Sequence, residues 1–383
     1  MKLKKRDILL FFSVIILVSL GLIAIGSATH IYDVNMISNK FSGQKIWFAI
    51  GLFLMILFYF IDYDFISKFY ILIYVLNLIL LLAVIIIGKH DNKSVTRWLM
   101  FGPIGIQPSE FSKLFMILFL SSLTSKYPER LNKINWLVFI LLISFLPVIL
   151  IIKQPSLSAG IIVSLIILTI LFVAGLDYKY IYKSLLIFAP ILIFFLWDIY
   201  STKHIFINWL IKYKIITEYQ VQRILSLVNP DLYSKDFYQT KYSMFALGSG
   251  KLFGKGLYNG MINKLNYLPE AHNDFIFSVI GEEFGFVGCC IVLFLLFFII
   301  SICFLIAKKS GTFLGKLIAS GVAGMFAFQT FINIGVASGI LPNTGMPLPF
   351  ISYGGTFAVC LIFGLSMVQR VAIENKKEKL GKS

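Results

Sequence analysis

Runs of apolar residues, separated by short polar stretches, recur along nearly the whole chain. Most reach about 18 residues, which is enough for a helix to cross a hydrocarbon core of about 30 Å. The bilayer core offers no water to backbone groups, so only helices or closed barrels span it, and unbroken apolar runs favour helices. The pattern predicts an all-α polytopic membrane protein with ten transmembrane helices, approximately at residues 8–28, 46–61, 69–88, 110–124, 136–152, 158–176, 183–200, 274–306, 314–340 and 350–370.

These spans form one predicted membrane domain, residues 1–370, with no internal repeat and no separable soluble unit. The long segment between the seventh and eighth helices, about residues 201–273, is amphipathic and broken by glycines. Such a segment suits the membrane interface or a re-entrant path. Residues 371–383 are predicted to form a basic cytoplasmic tail. The first apolar run resembles a signal peptide, but it is too long and lacks a convincing cleavage site.

The composition agrees with a membrane protein, since 58% of the 383 residues are hydrophobic and only 14% are charged. The net charge is +16, and Lys and Arg concentrate in alternate loops, in the N-terminus and in the tail. The positive-inside rule therefore predicts that both termini are cytoplasmic and that segment 201–273 lies outside. Orientation and anionic membrane lipids explain the positive charge, so no nucleic-acid partner is predicted.

Three polar clusters lie against the spans at the predicted outer face, where ionisable groups are unfavourable and therefore indicate function. The first is “TRWLMFGPIGIQPSEFSKL”, in which Arg97 and Trp98 precede a turn-rich stretch. Glu110 and Lys113 follow in the opening turn of a short apolar helix. Two interpretations remain open. In the structural one, Ser109 or Glu110 caps the helix and Glu110 and Lys113 neutralise each other; in the functional one, Glu110 and Lys113 grip a polar substrate.

The second cluster is “YLPEAHNDFIFSVIGEE”, which places Glu270, His272 and Asp274 directly before an apolar run. Asp274 is predicted to begin the helix, where unpaired N–H groups stabilise its carboxylate while partial burial opposes ionisation. An ionised but poorly solvated carboxylate can accept a proton or hold a cation. The alternative is that Asp274 only caps the helix and Glu270 only faces water.

Glu282 and Glu283 follow Asp274 by eight and nine residues, so on a helix they point about 80° and 180° away from it. They therefore cannot both share one cavity with Asp274. At least one of them is predicted to form a hydrogen bond to another helix.

The third cluster, “NTGMPLPFISYGGTF”, contains two prolines, three glycines, Ser352 and Tyr353. It predicts a rigid, non-helical entry to the last span, which a membrane tolerates only where it lines a cavity or is covered by protein. Gln329 and Asn333, four residues apart in the preceding helix, are predicted to satisfy its polar groups. Together the clusters predict an outer-face site for a polar group attached to a lipid-soluble molecule.

The stretches “YLPEAHNDFIFSVIGEEFGFVG”, “GMPLPFISYGG” and “RWLMFGPIGIQPSEFSKL” closely resemble signatures of the SEDS family (shape, elongation, division and sporulation), which includes FtsW, RodA and SpoVE. The resemblance implies a ten-helix peptidoglycan glycosyltransferase of the bacterial cytoplasmic membrane, acting in cell division or cell-shape maintenance. Such enzymes polymerise lipid II on the outer face, by an inverting transfer in which undecaprenyl diphosphate leaves. “YLPEAHNDFIF” and “LPFISYGG” resemble the FtsW-like, division type, whereas “GKGLYNG” resembles the other branches, and the motifs together lean towards the FtsW-like type.

By position, Asp274 matches the family's essential aspartate, as general base or as ligand of a divalent cation, Mg²⁺ or Mn²⁺. The resemblance implies that Lys113 offsets diphosphate charge, and Arg223 is a further candidate for this role. Two departures are Asn273, where the family commonly has threonine, and Ser156, which replaces the acid of a “QPDLGT” loop. No catalytic role is therefore assigned to that loop. The predicted substrate-binding residues are Arg97, Trp98, Glu110, Lys113, Glu270, His272, Ser352 and Tyr353.

The resemblance also implies partners: lipid II as substrate, a single-pass class B penicillin-binding protein with transpeptidase activity, and divisome or elongasome proteins. Two other functions remain open, a lipid II flippase and a polymerase or ligase of another polyprenyl-linked sugar. Broken helices and polar groups near a membrane face suit a transporter as well. A flippase, however, should place its key polar groups near the bilayer midplane, whereas here they gather at the outer end.

Overall fold

The computed structural model describes residues 5–29, 34–90, 96–102, 104–201, 204–213, 217–265, 267–269 and 271–380, which are mainly helical. The apolar runs become long helices because a helix satisfies its own backbone groups without water. The described helices are α1 (Lys5–Thr29), α2 (Val34–Phe60), α3 (Tyr63–Ser67), α4 (Tyr70–Ile87), α5 (Pro108–Lys126), α6 (Ile134–Lys153), α7 (Leu157–Val173), α8 (Tyr178–Tyr200), α9 (Ile205–Lys212), α10 (Glu218–Val228), α11 (Ser234–Ser249), α12 (Met261–Lys264), α13 (Ile276–Lys308), α14 (Phe313–Ala337) and α15 (Gly355–Leu380). The described strands are β1 (Lys89–His90), β2 (Thr96–Phe101) and β3 (Ile104–Ile106), and a 3₁₀ turn covers Pro128–Arg130.

Each of the ten predicted spans overlaps one long helix, and the all-α membrane fold is confirmed. Within the described residues, eight helices are long and apolar enough to cross a membrane: α1, α2, α4, α6, α8, α13, α14 and α15. Of the other two, α7 is apolar but only 17 residues long, and α5 is more polar. α5 tolerates polar residues because protein, rather than lipid, covers most of it. The count of ten crossings stays a prediction.

Two helix ends differ from the predicted spans near the polar clusters. α13 begins at Ile276, because residues 271–275 form turns, so Asp274 precedes the helix instead of opening it. α15 begins at Gly355 and not at residue 350, since the preceding prolines keep that entry non-helical. It then continues to Leu380, so most of the predicted tail is helical.

α5, α7 and α14 pack together in the interior of the bundle, and α13 and α15 pack against them. Glycines allow close approach: a Cβ added to Gly321 would lie 3.1 Å from Ile117 of α5, and one added to Gly324 would lie 3.1 Å from Thr169 of α7. Membrane helices associate through such close packing, because lipid is as apolar as their side chains. In contrast, most side chains of α8 are exposed, and it packs mainly on α9 and α10.

α13 is interrupted at Gly285, whose left-handed φ of 67° is not helical. The interruption frees backbone N–H groups of α13, and carbonyl oxygens of the segment after α11 accept hydrogen bonds from them. Phe286 N donates to Lys251 O at 2.9 Å, and Val287 N donates to Leu252 O at 3.1 Å. The break therefore docks part of the long segment 201–273 onto α13 without leaving these N–H groups unsatisfied.

A small antiparallel hairpin, β2–β3, lies at one end of the bundle and pairs Leu99 with Ile106. Gln107, just after it, donates its backbone N–H to Thr356 Oγ1 at the start of α15 (3.4 Å). We call this end, with residues 271–275 and 343–354, the loop face. The sequence pattern does not predict the hairpin, because strands of six and three residues carry too little periodicity.

At the opposite end, the tail face, the far end of α15 contacts the turn before α3. Arg370 Nη2 lies 2.8 Å from Asp62 Oδ1. Tyr63 Oη lies 2.7 Å from Thr312 Oγ1, which caps α14. α5 and α15 therefore run in the same direction, from the loop face to the tail face.

Candidate active site

Asp274 lies at the loop face in the turn that precedes α13, and its side chain is half-buried. The helix is capped by Phe275 without a side-chain hydrogen bond, so the structure does not show the capping role weighed for Asp274. Asn333 of α14 holds this turn: its Nδ2 donates to Asp274 O at 2.8 Å and to Met346 O at 2.6 Å. The prediction that Asn333 satisfies the proline-rich segment is confirmed. Gln329 forms no such bond within the described residues.

The Asp274 carboxylate and the Arg223 guanidinium both approach Gly345. A Cβ added to Gly345 would lie 3.3 Å from Asp274 Oδ2 and 3.9 Å from Arg223 Nη1. Gly345 has a φ of 69°, a left-handed conformation that glycine adopts without strain. Arg223 Nη1 also donates to Asn343 O at 2.9 Å. The Asp274 carboxylate before α13 and the Arg223 guanidinium of α10 therefore both approach Gly345 of the 343–354 loop.

Arg223 lies on α10, and the local sequence defines where this helix begins. Thr217 Oγ1 accepts from Gln220 N, and Gln220 Oε1 accepts from Thr217 N at 3.0 Å, which together form a capping box. Asn343 in turn donates from Nδ2 to Gln239 Oε1 of α11 at 2.8 Å. The long segment 201–273 is thus tied to the 343–354 loop, and through Arg223 it contributes directly to the site.

His272, Ser352 and Tyr353 connect the two loops that surround Asp274. Ser352 Oγ donates to Asn273 O at 2.6 Å and accepts from Leu348 N at 2.7 Å, and Tyr353 N donates to His272 O at 3.0 Å. The Ser352 hydroxyl is buried, so the structure assigns it a positioning contact. Its predicted role in substrate binding, like that of Tyr353, stays a prediction.

Lys40 of α2 was not among the predicted site residues. Its Nζ lies 2.8 Å from His272 Nε2. Burial, with the nearby Lys40 cation, lowers the pKa of His272 to about 4. His272 is therefore neutral at physiological pH, and its Nε2 accepts from the Lys40 ammonium. No sequence signal links these residues, because they lie 232 positions apart.

The remaining predicted residues occupy other parts of the loop face. Arg97 Nη2 donates to Pro155 O, which ties the hairpin to the turn between α6 and α7. The Trp98 ring covers Gly105 of the facing strand. Glu270 lies outside the described residues.

Glu110 and Lys113 form a buried ion pair in the first turns of α5. Lys113 Nζ lies 2.7 Å from Glu110 Oε2, and the Lys113 side chain is fully buried. The ammonium also lies 5.6 Å from the centre of the Phe357 ring of α15. Their pairing is confirmed, whereas a contact with substrate stays a prediction.

Glu282 and Glu283 bind neighbouring segments. Glu283 Oε1 accepts from Ser27 of α1, so the predicted hydrogen bond to another helix is confirmed. Glu282 Oε1 lies 2.7 Å from Lys255 Nζ and accepts from Ile262 N at 3.0 Å. These two carboxylates hold α1 and segment 255–262 against α13.

Comparison with known proteins identifies the family. A family model described as a cell cycle protein, of the FtsW, RodA and SpoVE type, matches residues 7–377. The chain belongs to this family. As a member of the FtsW/RodA/SpoVE family with several apolar helices, it is a multi-pass bacterial membrane protein.

Two relatives illustrate the range of this similarity. “Probable peptidoglycan glycosyltransferase FtsW” of Wigglesworthia glossinidia brevipalpis is 36% identical, over 97% of this chain and 95% of that protein. “Peptidoglycan glycosyltransferase MrdB” of Escherichia coli (strain K12) is 34% identical, over 81% of this chain and 79% of that protein. The relatives thus include both FtsW and MrdB proteins.

Solved structures share the fold. One, described as “Structural coordination of polymerization and crosslinking by a peptidoglycan synthase complex”, is 26% identical with a TM-score of 0.76, over 96% of this chain and 97% of that chain. The rod shape determining protein RodA of Thermus thermophilus is 26% identical with a TM-score of 0.66, over 96% of both chains. The similarity therefore covers the whole membrane domain.

Proposed function

We propose that this chain polymerises lipid II into glycan strands on the outer face of the cytoplasmic membrane. The observation that carries the proposal is the convergence of Asp274 and Arg223 on Gly345 at the loop face. Membership of the FtsW/RodA/SpoVE family, with relatives named peptidoglycan glycosyltransferases, supports the reaction class. Lys and Arg concentrate in the N-terminus, the tail and the loops of the same side, and the positive-inside rule makes that side cytoplasmic and the loop face external.

Asp274 is the proposed general base. The 4-hydroxyl oxygen of the acceptor GlcNAc forms a bond to C1 of the donor MurNAc. The bond between C1 and the diphosphate oxygen breaks, and its electron pair leaves with undecaprenyl diphosphate. The hydroxyl proton passes to the Asp274 carboxylate. One displacement inverts the anomeric centre and needs no covalent intermediate on the enzyme.

Arg223 is the proposed partner of the diphosphate. Its guanidinium is a permanent cation with several donors, which suits phosphate oxygens. Asn343 holds it in place through the bond from Arg223 Nη1. His272, being neutral, adds no charge, and we assign it to positioning the Asp274 turn through Tyr353 and Lys40.

A divalent cation, Mg²⁺ or Mn²⁺, is proposed to accompany the diphosphate. Mg²⁺ is usually held by one or two carboxylates together with substrate phosphates, and Asp274 fits as that carboxylate. Among the described residues, no group of three or more His, Cys, Asp and Glu side chains forms a metal site. Such a cation would therefore take most of its remaining ligands from substrate and water.

We expect chelation to stop polymerisation and added cation to restore it. Product would be measured after EDTA treatment, followed by excess Mg²⁺, Mn²⁺ or Ca²⁺. Restoration by Mg²⁺ or Mn²⁺ but not by Ca²⁺ would match a site that demands compact octahedral geometry. Undiminished product in EDTA would show that the reaction needs no free divalent cation.

A transpeptidase partner is also proposed, namely a class B penicillin-binding protein acting with divisome or elongasome proteins. Support comes from the similarity to a structure described as part of a peptidoglycan synthase complex. The flippase alternative is less favoured, because Asp274 and Arg223 gather at one end of the bundle and relatives are named glycosyltransferases.

The function is tested by incubating the purified full-length chain, with its transpeptidase partner and Mn²⁺, with fluorescent lipid II. Ladders of glycan strands on a gel are expected. A second assay places the same chain in liposomes with lipid II in one leaflet only and measures movement of lipid II to the other leaflet. Translocation without any ladders would overturn the polymerase proposal in favour of a flippase.

Gly345→Ala is expected to reduce polymerisation at least tenfold without unfolding the chain. The new methyl group would occupy the space between Asp274 Oδ2 and Arg223 Nη1, and the left-handed φ would be strained. The measurement is the initial polymerisation rate. The matched control is Gly248→Ala in α11, where a Cβ meets nothing within 4 Å and the activity should not change. Equal rates for both variants would contradict the assigned geometry.

A further inference from the structure

A cleft of about 360 Å³ opens at the tail face, far from Asp274 along the bundle. It lies between the junction of α3 with α4, the end of α5 and the start of α14. Its lining contains two lysines and three serines, and none of its described lining residues is acidic. The lining residues are Ser67, Lys68, Tyr70, Ser122, Ser125, Lys126 and Leu314.

The charge in this cleft is not neutralised by the protein. Lys68 and Lys126 are exposed, and neither forms an ion pair within the described residues. Lys126 Nζ instead lies 5.6 Å from the ring centre of Tyr70, which lines the same cleft. Arg370 at the same face, in contrast, has two carboxylate partners, Asp62 and Glu374. Two ammonium groups and the neighbouring hydroxyls suit a phosphate group.

The surroundings of the cleft are those of a membrane-embedded site. Phe65, Phe69, Ile71 and Leu72, on α3, its junction with α4, and α4, are between 47% and 64% exposed. Large apolar side chains at this exposure face lipid acyl chains in a membrane protein. A molecule with its phosphate in the cleft would therefore have room for apolar chains along α4. A soluble phosphate would contact only the lysines and serines of the cleft and not the apolar side chains along α4.

We propose that this cleft binds the phosphate headgroup of an anionic phospholipid from the leaflet at the tail face. Basic pockets between membrane helices on the cytoplasmic side are suited to such headgroups, and anionic lipids are abundant there. The site is separate from the glycosyl-transfer site, and its occupancy would hold the junction of α3 with α4 against the ends of α5 and α14.

The test uses native mass spectrometry of the full-length protein in detergent, titrated with phosphatidylglycerol or with phosphatidylcholine of the same acyl chains. Wild type should retain phosphatidylglycerol preferentially. Lys68→Ala/Lys126→Ala should weaken its binding about 30-fold, the loss expected for two lysines near an anionic lipid surface. Both side chains are exposed, so the variant should fold.

The matched control is Lys133→Ala/Lys183→Ala, which removes two exposed lysines of the same predicted side that do not line the cleft. Equal losses in the two double variants would show a diffuse charge effect and overturn the proposal. Unchanged binding in Lys68→Ala/Lys126→Ala would also overturn it. Inorganic phosphate is the competitor, and displacement of phosphatidylglycerol at equal concentration would assign the cleft to soluble phosphate and overturn the phospholipid assignment.

Discussion

Asp274→Asn is expected to lower the rate of glycan polymerisation by about 10³-fold, because asparagine keeps the shape of the side chain but neither accepts the acceptor proton nor carries the charge that holds a cation. The fold should survive, since the interactions that tie this turn to Asn333 and Ser352 use backbone oxygens of Asp274 and Asn273. The measurement is the initial rate of ladder formation from fluorescent lipid II, beside the thermal unfolding of both proteins in detergent.

The matched control is Asp177→Asn, the same chemical change at a partly exposed carboxylate that pairs with Lys179 away from the loop face. Its rate should equal that of wild type. Full activity of Asp274→Asn would contradict both proposed roles of this carboxylate. It would leave Asp274 as a residue that only shapes the turn.

Asp274→Cys separates the two roles. A thiolate is a soft ligand that prefers softer cations over Mg²⁺. If Asp274 holds the cation, activity lost in Mg²⁺ should return partly in Cd²⁺. If Asp274 acts only as the base, no exchange of cation should restore the rate.

Lys113→Met is expected to destabilise the protein by about 3–5 kcal/mol, the largest stability effect that we predict. The substitution leaves the Glu110 carboxylate buried in the bundle without the ammonium that lies 2.7 Å away. A buried carboxylate without its partner is strongly unfavourable at membrane depth. The measurement is the thermal unfolding of the full-length protein in detergent, together with the yield of folded protein.

Glu110→Gln/Lys113→Met should recover most of this stability, because it removes both charges and keeps similar volumes. Lys179→Met is the exposed control and should change unfolding little, since its partner Asp177 stays in water. If Lys113→Met is as stable as Glu110→Gln/Lys113→Met, the Glu110 carboxylate does not need the Lys113 ammonium to neutralise it.

The same double variant decides between the two interpretations of Glu110 and Lys113. If the pair is only structural, the recovered protein should polymerise lipid II at the wild-type rate. If the pair also contacts substrate, the recovered protein should fold but remain slow. Stability and activity are therefore measured on the same preparation.

Much of the fold was predictable from the sequence, because the bilayer leaves few solutions for a long apolar run. All ten predicted spans coincide with helices. The proline-rich entry to α15 and its bond from Asn333 were also predictable, since such backbone at a membrane needs a nearby polar partner. The helix ends were less predictable from the sequence. The predicted span begins at residue 274 and α13 begins at Ile276, because local turns compete with the helix at its first residues.

The sequence by itself therefore determined the membrane fold, the family and the three polar clusters that contain Asp274, Glu110 and Ser352. Only the tertiary structure decided that the Asp274 carboxylate and the Arg223 guanidinium both approach Gly345, and that Lys40 pairs with His272. The physical reason is that hydrophobic periodicity shows whether a residue faces lipid or the protein core. It does not show which distant segments pack against each other, and the contacts of Arg223, Gly345, Lys40 and His272 depend on that packing.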